Sequence, residues 1–216
     1  MSRTRFAFSI AVVALLVASP ATGQLVNFPV LALSPADGVT SIGGGWGRGL
    51  NADSGELNAF GVGVRRSMEK VSFSIAGGYV LDARGADDGK TTFSGALAYH
   101  LPLESSVNLS IQTGIGYISL AETELNFPVG LAITGSTEAG SMMVTPWIMP
   151  RVHFTRVGGT NSATATDFGA SGGIGFATEG GFGFGVAADL LLVDDGAGGS
   201  NSAFRISVGV NYALGN

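Results

Sequence analysis

Val71, Phe73, Ile75, Gly77 and Tyr79 alternate with Ser72, Ser74, Ala76 and Gly78. Successive side chains of an extended chain point to opposite faces, so a period of two puts the bulky apolar groups on one side and small or polar groups on the other. The pattern recurs downstream. Phe93, Gly95, Leu97, Tyr99 and Leu101 alternate with Ser94, Ala96, Ala98 and His100, and Val107, Leu109, Ile111, Thr113, Ile115 and Tyr117 with Asn108, Ser110, Gln112, Gly114 and Gly116. In the C-terminal half, Phe168, Ala170, Gly172, Ile174 and Phe176 alternate with Gly169, Ser171, Gly173 and Gly175. Phe182, Phe184, Val186, Ala188 and Leu190 alternate with Gly183, Gly185, Ala187 and Asp189, and Phe204, Ile206, Val208, Val210 and Tyr212 with Arg205, Ser207, Gly209 and Asn211. Weaker runs at 40–50, 58–66, 125–134 and 144–155 bring the expected number to about ten strands, with eight as the main alternative.

Composition says what the apolar faces meet. Charged residues make up 12% of the chain and glycine 35 of its 216 residues, half and more than twice the respective shares in soluble domains. Mean hydropathy is +0.38, yet beyond the N-terminus no apolar run approaches the ~18 residues of a spanning helix. Hydrophobicity spread over alternate positions is what a closed barrel in lipid requires, because lipid solvates one face of every strand. The expected fold is therefore all-β, an antiparallel up-and-down transmembrane β-barrel. A soluble β-sandwich would need a polar outer face, and the alternating Phe, Val, Ile and Leu positions argue against it.

At the N-terminus, Arg3 and Arg5 precede the apolar segment 6–18, which Ser19 and Pro20 end. Ala21-Thr22-Gly23 places small residues at a cleavage site, so the expected organisation is a signal peptide at 1–23, a lead-in segment at 24–37 and a barrel domain at 38–216. The apolar run is shorter than the ~20 residues of a membrane anchor. The absence of cysteine excludes a disulfide scaffold, a lipid-acceptor thiol and thiolate metal sites. Without Arg3 and Arg5, nine basic residues face 16 acidic ones, a net charge of −7, and no basic patch points to nucleic acid.

The connections sort into two classes that alternate along the chain. Short ones fall near 67–69, 102–105 and 178–180, and longer polar ones near 51–56, 82–90, 121–124, 157–166 and 194–201. Short periplasmic turns facing longer extracellular loops produce such an order. The connection at 135–141 departs from it, being longer than a tight turn on the short side.

In these features the chain resembles the family of small bacterial outer-membrane β-barrel proteins, over roughly Val39 to Leu214. Phe204-Arg-Ile-Ser-Val-Gly-Val-Asn-Tyr212 looks like the last strand by which such proteins are recognised. The family usually ends on an aromatic residue, whereas this chain continues through Ala213-Leu214-Gly215-Asn216, leaving Tyr212 as the aromatic. The resemblance implies an outer-membrane location after export, with membrane lipid and the assembly machinery as partners. Trp46, Tyr79, Tyr117 and Tyr212 fall near strand ends on the outer face, where aromatic girdles lie.

Candidate chemistry is sparse. Gly183-Phe-Gly185-Val-Ala-Ala188 matches a dinucleotide pattern in letters, but that chemistry needs a helix N-terminus behind the glycines, and here strand alternation continues to Leu190. Outer-membrane enzymes of the lipid A deacylase or phospholipase kind, which the barrel resembles, pair a His with a Ser on the barrel wall. His153-Phe-Thr155 has the alternate spacing with Thr in place of Ser, and no acidic partner is evident nearby. His100 and His153, the two histidines, make a poor metal site without clustered carboxylates. No catalytic, cofactor or metal residue is therefore expected.

Parity instead gathers Arg151, His153, Asp189 and Arg205 on the inner face toward the long loops. Asp189 and Arg205 flank one loop on consecutive strands, and Arg151 lies two strands away across the small Gly173 and Ser171. Either this cluster is a charged constriction that selects solutes, or it is an ion pair that neutralises charge inside a narrow barrel. The functional expectation is a non-enzymatic barrel with a structural, adhesive or surface-binding role, with a small porin-like passive channel as the alternative.

Overall fold

The computed structural model describes residues 38–51, 57–82, 89–101, 103, 106–119, 123–159, 162–194 and 200–214. The expected signal peptide and lead-in segment lie outside them. The strands are β1 (Thr40–Gly49), β2 (Leu57–Ser67), β3 (Val71–Asp82), β4 (Lys90–Leu101), β5 (Val107–Ser119), β6 (Thr123–Gly135), β7 (Thr137–Ala139), β8 (Met142–Val157), β9 (Ala163–Thr178), β10 (Phe182–Asp194) and β11 (Ser200–Leu214). Apart from β6 and β7, each pairs antiparallel with its chain neighbours, β1 pairs with β11, and β6 pairs with β8, so the sheet closes on itself. β7 continues β6 along the same partner strand, in the register Thr134↔Trp147 and then Thr137↔Val144. The barrel therefore has ten staves, the larger of the two expected counts.

Alternation of side chains dictates what each face carries. Val62 and Ile75 point outward at 67% and 66% exposure, while their inner neighbours include Ser72, Ser74 and Ala98 at 0–2%. All ten staves keep this division. A closed ring leaves no free strand edge, and its outer surface is formed by apolar side chains. Tyr79, Tyr117 and Tyr212 are exposed on the outer face, and Trp46 stands beside Phe60 on that face.

Thr40 pairs with Leu214, so both ends of the barrel reach the same rim, called here the turn end. The opposite rim carries the five longer connections and is called the loop end. The long 135–141 connection resolves into structure: β7 and the start of β8 form a hairpin beyond the rim, turning at Gly140, whose φ of 64° favours a residue without a side chain. Similarly, Ala163–Thr166 belong to β9 rather than to a loop, paired with β8 from Val157 to Phe154.

Candidate functional site

The inner face of the loop-end half is where the charged side chains meet. Asp189 on β10 stands directly opposite Arg205 on β11 and opposite Ser171 on β9. Arg151 on β8 reaches over β9. Its Nη1 donates to Ser171 Oγ at 2.6 Å and its Nη2 lies 2.7 Å from Asp189 Oδ1. Ser171 Oγ in turn donates to Asp189 Oδ1 at 2.8 Å, and Arg205 Nη1 lies 3.4 Å from Asp189 Oδ2. One carboxylate thus holds two guanidinium groups, and the closer partner is the one two strands away. Asp189, Arg151 and Arg205 are 1%, 6% and 6% exposed, so the pairing is desolvated and sensitive to loss of any member.

His153 joins this layer through β6. Asn126 Nδ2 donates to Glu124 Oε1 at 2.8 Å. A carboxylate oxygen accepts only, so the amide nitrogen faces Glu124 and the amide oxygen faces the other way. That oxygen accepts from Thr155 Oγ1 at 3.0 Å and lies 2.6 Å from His153 Nε2. Because an amide oxygen cannot donate, Nε2 carries a proton, and in the neutral ring Nδ1 keeps its lone pair. Nδ1 is buried and meets no hydrogen-bond partner among the described residues. Asp167 on β9 stands opposite His153 in the register. Glu124 acts electrostatically on Arg205, although β6 and β11 are four staves apart in the ring, so the layer spans the lumen.

All four residues singled out from the sequence therefore meet in one layer, together with Asn126, Thr155, Ser171, Glu124 and Asp167. Residue order alone shows no acidic partner near His153. Asp167 and Glu124 supply acidic neighbours, and the signal for both was available, since Phe168 and Leu125 point outward and parity turns their neighbours inward. Thr155 was noticed for its spacing, and that spacing is what lets it share Asn126 with His153.

A second polar group lies at the turn end. Arg65 Nε donates to Ser67 Oγ at 2.7 Å, Ser72 Oγ and His100 Nε2 are 2.7 Å apart, and Gln112 Nε2 donates to Ser110 Oγ at 3.0 Å. The sequence reading did not place Arg65, although outward Val64 marks it as inward. Between the two groups, Ala132, Trp147, Met149 and Ala187 form an apolar cluster inside the lumen. Gly183-Phe-Gly185-Val-Ala-Ala188 runs straight through β10, as strand alternation requires. Among the described residues, no three His, Asp or Glu side chains come together as a metal-binding group.

No family model matches the sequence, and no curated protein matches it. Solved structures do. The outer membrane protease OmpT from Escherichia coli superposes with a TM-score of 0.39 and 10% identity, over 85% of this chain and 99% of that one. LpxR from Salmonella typhimurium superposes with a TM-score of 0.44 and 7% identity, over 81% of this chain and 99% of that one. What the chain shares with them is the fold, an all-β antiparallel closed barrel.

These neighbours correct the functional expectation. One of them is by its name a protease, so the barrel form does not support the expected non-enzymatic structural, adhesive or surface-binding assignment. The passive-channel alternative meets its own obstacle in the layer around Asp189. Side chains lining a water-filled pore would be wetted, whereas these are almost completely buried.

Proposed function

We propose that the protein is exported through its N-terminal signal segment, cleaved after Gly23, and works in the outer membrane as a hydrolase whose acid–base group is His153. The observation that carries this reading is the chain Glu124–Asn126–His153, which fixes the imidazole proton on Nε2 and leaves Nδ1 as a base. A base within a set hydrogen-bond relay is the arrangement that general base catalysis needs. In this reading Nδ1 takes a proton from a water molecule as its oxygen attacks an acyl carbonyl. The tetrahedral oxyanion then collapses, the ester or amide bond breaks, and the imidazolium gives its proton to the leaving oxygen or nitrogen. Arg151 and Arg205 both act electrostatically on His153, and their positive charge would favour the oxyanion that develops.

The test is hydrolysis by the refolded protein in lipid vesicles, measured on a panel of peptide, acyl-ester and phospholipid substrates, with His153→Gln alongside. The reading predicts turnover of at least one class by the wild type and its loss in His153→Gln, which keeps a side chain able to donate to Asn126. Turnover that survives the substitution, or none on any class, overturns it.

A further inference from the structure

Eight of the ten stave-to-stave ladders run without a missing pair among the described residues. The other two both belong to β6. Between β5 and β6 the register passes from Thr113↔Val129 to Gly116↔Asn126, omitting the pairs that Pro128 and Phe127 would make. Between β6 and β8 it passes from Gly130↔Arg151 to Ile133↔Ile148, omitting those of Pro150 and Met149. The break between β6 and β7 has the same origin, because the omitted pairs there fall at Pro146 and Thr145.

Each gap thus sits at a proline, and Pro128, Pro146 and Pro150 are the prolines found within the described strands. Proline has no N–H, so the carbonyl facing it loses its ladder donor. In hydrocarbon no water replaces that bond. β6 is consequently held by an incomplete ladder on both edges, unlike any other stave.

What lies on either side of this seam is informative. Outside, Phe127, Val129, Leu131 and Ile133 are exposed to the surrounding lipid. Inside, Pro128 faces His153 across the register, and Gly130 faces Arg151. The omitted pair Ala132 and Met149 belongs to the lumenal apolar cluster with Trp147 and Ala187. The weakest part of the wall therefore separates membrane hydrocarbon from an apolar cluster that adjoins the polar layer. An amphiphile entering here would meet apolar side chains for its chain and Arg151 and His153 for its head.

We infer that the barrel opens sideways along the β6–β8 seam, where Pro146 and Pro150 interrupt the ladder, and admits the acyl chain of a membrane lipid to the His153 layer. This rests on the reading of that layer as the working site and supplies its substrate class, since almost complete burial closes the layer to substrates arriving through the lumen.

The chain has two tryptophans, Trp46 and Trp147, and no cysteine. Trp46→Phe therefore leaves Trp147 as a single reporter inside the lumen, and a cysteine pair introduces the sole disulfide. The experiment places Trp46→Phe in vesicles of brominated phosphatidylcholine, whose acyl chains quench indole fluorescence on contact. Val129→Cys with Val152→Cys, opposite each other on β6 and β8, locks the seam. Phe73→Cys with Leu97→Cys, opposite each other on β3 and β4, locks an uninterrupted ladder as a control.

The expected result is quenching of Trp147 that is lost when the β6–β8 disulfide forms, returns on reduction and is unaffected by the control disulfide. Should the locked variant fold poorly, Pro146→Val with Pro150→Val restores the missing donors of the β6–β8 ladder and reduces the quenching by the same route. Quenching that is absent, or equal in the open, locked and proline-substituted forms, overturns the inference. The measurement reads lipid contact and not turnover, so its failure leaves the His153 test standing, and an inert His153 leaves lipid entry measurable.

Discussion

His100 and His153 are buried in the same lumen at opposite ends, 4% and 2% exposed, yet their surroundings give them different chemistry. His100 shares its hydrogen bond with the Ser72 hydroxyl, which can donate or accept, so either ring nitrogen can carry the proton. His153 bonds an amide oxygen whose orientation Glu124 fixes, so one tautomer is set. Arg65 acts on His100, whereas His153 lies among two arginines and Asp189. Burial alone does not make a histidine a base. A defined proton position with charged groups close by does, and among the described residues the loop-end group is the one that has both.

The sharpest way to break that contrast is to remove the carboxylate at the centre of the loop-end layer. Asp189→Asn leaves Arg151 and Arg205 buried together without their counter-charge, a loss of about 3–5 kcal/mol for a dry ion pair. Reversible unfolding in bilayers measures it. A double-mutant cycle then apportions the effect, and coupling of Asp189 to Arg151, at 2.7 Å, is expected to exceed that to Arg205, at 3.4 Å. A cost within the ~0–1 kcal/mol of an exposed pair would mean that bulk water fills the layer, beyond the single molecule that the His153 reaction uses.

A smaller effect sharpens the comparison between the histidines. Asn126→Ala removes the shared partner of Glu124, Thr155 and His153, whereas Ser72→Ala removes one partner of His100. Each buried polar group left unsatisfied costs about 1–3 kcal/mol, so Asn126→Ala should destabilise clearly more than Ser72→Ala in the same assay. Equal effects would show that the Asn126 relay is no more tightly built than the Ser72 contact.

Much of this was legible from residue order, and the places where it was not share a cause. Strand parity put Asp189 opposite Arg205 and left Arg151 a path over Ser171, and the register bears out both placements. Where alternation was clear, as at Val71 to Tyr79, facing could be read residue by residue. It was weakest on β6 and β8, whose runs were read as 125–134 and 144–155 but extend further at both ends. Those strands carry Pro128, Pro146 and Pro150, and proline lowers the strand signal for the same reason that it opens the ladder. Ala163–Thr166 were missed in β9 because they project past the rim, where no lipid face selects for bulky apolar residues. At the site, Asn126 and Asp167 escaped notice because their roles depend on partners from other strands, which parity orients but does not pair.

Closure of the lumen at the Asp189 layer is tested most directly by planar-bilayer conductance of the refolded wild-type protein. The predicted record is flat across both voltage polarities, because a side-chain layer this buried leaves no water path for ions. Sustained, ohmic conductance steps from the wild-type barrel would contradict it.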